Sequence, residues 1–131
     1  MRRLIIVTCC FVVAAIMSCS RDKKTDFAAA NAAKEYYDML VLGEYNQFVK
    51  GMHIPEQIPE SYRNQLVDNA KMFVEELQKE HNGIQEIRVV NCVNDSTLTN
   101  ANAFLMLSFG DSTIEEIVVP MVKSNKKWYM K

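Results

Sequence analysis

The hydrophobic period of this chain changes once, at Gly83, and that change constrains the fold more than any other feature. Before it, apolar residues recur every three to four positions, as on one face of a helix. After it they alternate, as on one face of a strand. A chain that places its helices first and its strands last does not build the alternating units of a parallel sheet. The expected fold class is α+β: three N-terminal helices packed on a curved, four-stranded antiparallel meander.

The first helix is expected from about Asp26 to Leu42, with Thr25 or Asp26 as cap and Gly43 as stop. Its inward face would hold Ala29, Ala33, Tyr36, Tyr37 and Leu40, with small alanines permitting close approach. A short second helix, Glu44 to Lys50, offers Tyr45, Phe48 and Val49 and ends at Gly51. Pro59 suits the first turn of the third helix, where no backbone N–H is required. That helix would run to about His81 on a stripe of Tyr62, Leu66, Ala70, Phe73 and Leu77, with Gly83 as its stop. Strands are expected at Ile84 to Val93, Asn100 to Phe109, Ser112 to Lys123 and Lys127 to Met130. Gly110-Asp111 reads as a two-residue hairpin turn.

The central strands are apolar on both faces. Ala101, Ala103, Leu105, Leu107 and Phe109 alternate with Phe104 and Met106, and Ile117, Val119 and Met121 with Ile114, Val118 and Val122. Antiparallel sheets covered by helices on one side normally keep the other side polar. Either curvature buries part of both faces, or a second copy covers the outer one as a homodimer through the sheet. Pro120 points to an edge or a bulge in the third strand.

The N-terminus has its own pattern. Arg2 and Arg3 precede an apolar run from Leu4 to Met17, then Ser18 and Cys19. The run is about fourteen residues, short of the roughly 20 that a membrane-spanning helix needs. A small residue followed by Cys resembles the lipobox of bacterial lipoproteins. The resemblance implies cleavage before Cys19, a diacylglyceryl group on its sulfur and acylation of the new amine. Residues 1–18 would be the signal peptide, 19–25 the lipidated Cys and tether, and 26–131 a single domain. Each buried CH₂ contributes about 0.8 kcal/mol, so three chains would anchor the protein durably. The tether from Ser20 to Thr25 reaches at most about 20 Å. Ser20 stands where an Asp would suggest inner-membrane retention, and Arg21-Asp22-Lys23-Lys24 is not the acidic run of some surface lipoproteins. The expected location is the bacterial cell envelope, at the periplasmic face of the outer membrane.

Cleavage would remove 18 of 131 residues and leave 113, enough for one domain with a real core. It would also remove two of the 15 basic residues, leaving 13 against 16 acidic. That balance argues against nucleic acid as a partner. Of the four cysteines, Cys9 and Cys10 would leave with the signal and Cys19 would be acylated. Cys92 alone remains, so no intrachain disulfide is expected, and its place in a strand suggests a buried, inert thiol.

Gly43-Glu44-Tyr45 leading to Phe48-Val49 and Gly51-Met52, then Pro59 with Tyr62-Arg63 and Gln65-Leu66, Gly83-Ile84, and a close at Val122-Lys123 and Lys127-Trp128 form an ordered set. Over about residues 27 to 131 it resembles the cystatin-like, or nuclear transport factor two-like, fold, and more narrowly small bacterial lipoproteins of unknown function that share it. Such domains usually carry Asp-Gly before the Lys-Trp pair; here the turn is Ser124-Asn125-Lys126. The wider fold includes isomerases and dehydratases with an Asp or His in a conical pocket, but the lipoprotein family brings no catalytic residues.

The residues themselves offer little chemistry. Asp38 sits on the polar face of its helix beside Lys34 and Glu35, whereas a catalytic base needs an apolar pocket to tune it. His81 lies over Leu77 at a helix end, where the dipole favours an imidazolium. His53, in a loop after Met52, is the more open case. Glu115 and Glu116 are adjacent in a strand and point to opposite faces. No metal-ligand spacing or phosphate loop is present, and no cofactor is expected.

A pocket without chemistry remains, lined by Tyr36, Tyr37, Phe48, Met52, His53, Phe73, Met106, Met121 and Trp128 and suited to a small apolar ligand. The competing reading makes these residues plain core. The expected function is thus a membrane-anchored, non-catalytic domain that binds a ligand or a protein. The alternatives are an isomerase- or dehydratase-like enzyme using the cone, or a structural subunit that dimerises. Asp95-Ser96-Thr97 and Asp111-Ser112-Thr113 also resemble the motif that some bacteria O-glycosylate, with Ser96 and Ser112 as acceptors, although turns favour Asp and Ser anyway.

Overall fold

Small side chains bring the first helix down onto the sheet. In the computed structural model, which describes residues 26–55 and 57–131, α1 spans Ala28–Val41. It buries Ala29, Ala30, Ala33, Tyr36 and Leu40 and touches all four strands. The signal segment, Cys19 and the tether lie outside the described residues. The helix starts two residues later than expected. Asp26 still serves its N-terminus, accepting the Ala28 N–H at 3.0 Å. At the other end the Glu44 N–H reaches back to the Met39 carbonyl and the Gly43 N–H to that of Leu40, a Schellman closure.

The short α2, Tyr45–Lys50, buries Phe48 and Val49. Gly51 then passes so close to the Tyr36 ring that a Cβ there would fall inside its van der Waals shell. Pro59 caps α3, Glu60–His81, from just outside, its carbonyl accepting from Tyr62 and Arg63. The helix ends in a left-handed Asn82, φ 63°, one residue before the expected Gly83. The stripe expected on α3 is displaced. Ala70 is buried and Leu66, Val67, Val74 and Leu77 are half-buried, whereas Tyr62 and Phe73 stay 45% and 42% exposed. The covered stripe runs through Leu66, Val67, Ala70, Val74 and Leu77, so Tyr62 lies in the first turn before it and Phe73 on its flank.

The strands β1 (Ile84–Asn94), β2 (Asn100–Phe109), β3 (Ile114–Ser124) and β4 (Lys127–Met130) form an antiparallel meander in sequence order. The register breaks in β1 between Val89 and Asn91, leaving Val90 bulged, so that Ile87, Val89 and Cys92 all turn inward. Cys92 is buried, and burial pushes its thiol pKa up, as an inert role requires. Pro120 pairs across to Asn102, and its carbonyl accepts the Lys131 N–H on the other side. The N and O of one residue in an antiparallel strand face the same way, so the missing N–H of Pro120 faces the outer end of β4 and leaves the pairing with β2 intact.

The turns correct one expectation. Gly110-Asp111 is not a two-residue loop. The Phe109 N–H donates to the Thr113 carbonyl and the Ser112 N–H to that of Phe109, a three-residue loop with Ser112 left-handed at φ 74°. This loop docks on the end of α3: Gly110 donates to the Gly83 carbonyl at 2.8 Å and Asp111 to that of His81 at 3.0 Å. A Cβ on Gly110 would come within 2.5 Å of the Asn82 carbonyl oxygen. The β3–β4 turn is a two-residue one, with Asn125 and Lys126 both at positive φ.

The core lies between α1 and the inner sheet face and includes Leu105, Leu107, Val119, Met121 and Trp128. Its buried members all fall between Ala29 and Met130. The outer face carries half-buried Phe104 and Met106 beside Val93 and Val118, each 50% exposed.

Candidate functional site

The site begins with how the chain leaves α2. After Gly51, Met52 pairs in parallel with Met130 of β4. The Met130 N–H donates to the Gly51 carbonyl and the His53 N–H to the Met130 carbonyl, each at 2.7 Å. This stitch fixes Met52 and His53 where α2, α3 and β4 converge. Tyr36 reinforces the junction by donating its hydroxyl to the Trp128 carbonyl at 2.6 Å.

On one side of Met52 lies a groove of about 340 Å³ between α1, α2 and α3. Tyr37, Phe48, Leu66, Ala70 and Phe73 line it with Met52, and Asn69 is its one amide. Tyr37 meets Phe48 edge to face, centroids 5.4 Å apart, and burial raises the Tyr37 pKa. On the other side a pocket of about 300 Å³ is lined by Val49, Lys50, Met52, His53, Ile54, Pro55, Arg63, Ser124, Asn125 and Tyr129. The His53 ring lies 5.9 Å from that of Tyr129, and the Lys127 ammonium 5.5 Å from the same ring.

The expected lining is therefore divided. Tyr37, Phe48, Met52 and Phe73 meet in the groove, and His53 lies in the adjoining pocket. Tyr36, Met121 and Trp128 are core, and Met106 is on the opposite face of the sheet. Sequence reasoning missed Lys50, Arg63 and Tyr129. The signal for Tyr129 was its place beside Trp128, since neighbours on a strand face opposite ways. Lys50 and Arg63 carried no local signal, because only the packing of α2 against α3 brings them to one pocket.

The other titratable candidates have structural partners. Asp38 pairs with Lys34 at 2.7 Å, one turn apart. His53 is exposed. The register sets Glu115 across from Leu107 and Glu116 across from Met106, so the two do face opposite ways. His81 stacks on Phe109 and places Nδ1 2.9 Å from Asp111. Asp111 also accepts the Thr113 hydroxyl and N–H. The Thr113 hydroxyl, the His81 contact and the Thr113 amide together lower the Asp111 pKa to about 2. Asp95 repeats the device. Desolvation raises its pKa, but hydrogen bonds from Thr97, Asn100 and Thr99 outweigh that and bring it below the usual value. Ser96 and Ser112 are exposed in these two turns.

No family profile and no curated protein matches this sequence. Solved structures do match in shape. A candidate NTF2-like transpeptidase from Campylobacter jejuni superposes with a TM-score of 0.60 at 16% identity, covering 76% of this chain and 94% of its own. A SEC-C motif protein from Rhodopseudomonas palustris gives 0.54 at 12% identity, covering 82% and 78%. The fold is thus the NTF2-like one, with helices first and a four-stranded antiparallel sheet after them.

Proposed function

We propose that this chain is a non-catalytic binding domain, held at a membrane by lipid on Cys19, whose groove between α1, α2 and α3 takes a small apolar ligand. The observation that carries the reading is Phe73, 42% exposed, which lines the groove with Leu66 and Ala70 of its own helix opposite Tyr37, Phe48 and Met52. An aromatic wall with a flexible methionine suits an apolar guest. The groove holds no described carboxylate or histidine, which favours binding over acid–base chemistry.

The test uses N-phenylnaphthylamine, a neutral apolar dye that brightens on leaving water, with the chain cut before Asp26 and first shown to melt cooperatively. Brightening that saturates, and that Phe73→Asp abolishes without lowering the melting temperature, is the expected result. No brightening, or brightening indifferent to the substitution, removes the groove as a ligand site.

Anchorage rests on the residues around Cys19. Intact mass of the protein from its native host should correspond to a chain beginning at Cys19 and carrying acyl groups. A chain that keeps residues 1–18, or lacks lipid, refutes the anchor. The same spectrum tests glycans on Ser96 and Ser112, which would add discrete hexose-scale increments.

A further inference from the structure

We propose that the pocket containing Lys50, His53 and Arg63 binds the anionic head, carboxylate or phosphate, of a single-chain amphiphile whose hydrocarbon tail lies in the adjoining groove. The inference rests on the groove being a ligand site and adds the chemical class of its ligand.

Continuity carries it first. Met52 lines both depressions, so a molecule can pass from the aromatic groove into the pocket across one flexible side chain. Charge carries it second. Three cationic or protonatable side chains, from the last residue of α2, the following loop and the first turn of α3, converge there. Neither Lys50 nor Arg63 pairs with a carboxylate among the described residues, and no carboxylate is among the pocket's described lining. Ser124, Asn125 and the Tyr129 hydroxyl supply neutral hydrogen-bonding groups beside them. This gathering runs against the sign of the chain, whose formal net charge is −1.

Size carries it third. Each depression is at the lower end of the volumes that small-molecule sites occupy, which fits one chain rather than a two-chain lipid. A guest with a neutral head would displace water from Arg63 and return no charge-assisted hydrogen bond, so the pocket should discriminate by head as the groove does by tail.

Octanoate and 1-octanol share a chain length and differ in head charge. At pH 7.5 both should displace N-phenylnaphthylamine from the domain, octanoate at least about ten-fold more tightly. Arg63→Gln and Lys50→Gln, each folded by circular dichroism, should erase that advantage and leave octanol unchanged. Equal displacement by the two probes, or an octanoate advantage that survives both substitutions, overturns the head site and leaves the groove reading standing. Dye that binds but yields to neither probe also overturns it. Failure of dye and octanol alike overturns both readings. Inorganic phosphate is the remaining arm: if it blocks octanoate without displacing dye, the pocket serves a free anion and the amphiphile is wrong.

Discussion

Asp111 shows how one side chain ties two parts of the fold together. Its carboxylate accepts from Thr113 within its own loop and from His81 at the end of α3, while its backbone N–H donates to the His81 carbonyl. A pKa of about 2 in the folded chain, against the usual carboxylate value near ~3.9, means that the folded state favours the charged form. The stabilisation is complete above about pH 4 and is lost as pH falls through about 2. Asp111→Asn should therefore lower the urea midpoint at pH 7, and its gap from the parent protein should close toward pH 2. A gap that stays constant across that range would assign the effect to loop geometry rather than charge. The sequence placed His81 at a helix end, where a cation is favoured, but its partner lies 30 positions away and no local pattern announces it.

Among the elements, what the sequence revealed follows from how local each cause is. The change of period at Gly83 is local, and the helix and strand assignments rest on it. β2 and β4 begin and end where alternation places them. The bulge at Val90 was not legible, because a bulge is a relation between two strands. Nor was the face of α3. The stripe through Tyr62 and Phe73 is regular, but the covered one runs through Val67 and Val74 instead, a rotation set by the packing of α3 on its neighbours. Four of the expected lining residues do meet, since they lie on elements adjacent in sequence. Met106 was lost through a choice of face that alternation leaves open, and Tyr36 through a hydrogen bond to a carbonyl 92 residues away. The partial exposure of Phe73 has a practical consequence: its substitution reports on binding with little penalty in stability.

At the scale of the whole molecule, the uncovered face of the sheet raises the question of assembly. We propose that a second copy covers it. One rung of that face runs Arg88, Met106, Glu116 across β1, β2 and β3. A two-fold axis along β2 would set each Arg88 over Glu116 of the other copy, with Phe104, Met106 and Val118 between them, so the face is complementary to itself. The domain cut before Asp26 should then sediment with twice its monomer mass at high micromolar concentration, and Val118→Asp should return it to a monomer with an unchanged circular dichroism spectrum. A parent domain that is monomeric at that concentration removes the dimer. The groove lies on the helical side, so assembly through the sheet leaves it open, while the pocket sits at the β4 edge, where Tyr129 faces outward, beyond the rung that Arg88, Met106 and Glu116 form.

The stitch between Met52 and Met130 governs timing as well as shape. It joins the loop after α2 to β4 across all of α3 and three strands, so Ser124, Asn125 and Tyr129 can meet Lys50 and His53 only after β4 has been made. Contacts this distant in sequence form slowly, because the loop between them must be closed before any bond rewards it. Because a chain is made from its N-terminus, α2 and α3 would exist before the strand that closes the pocket, and the pocket would take shape only when β4 pairs.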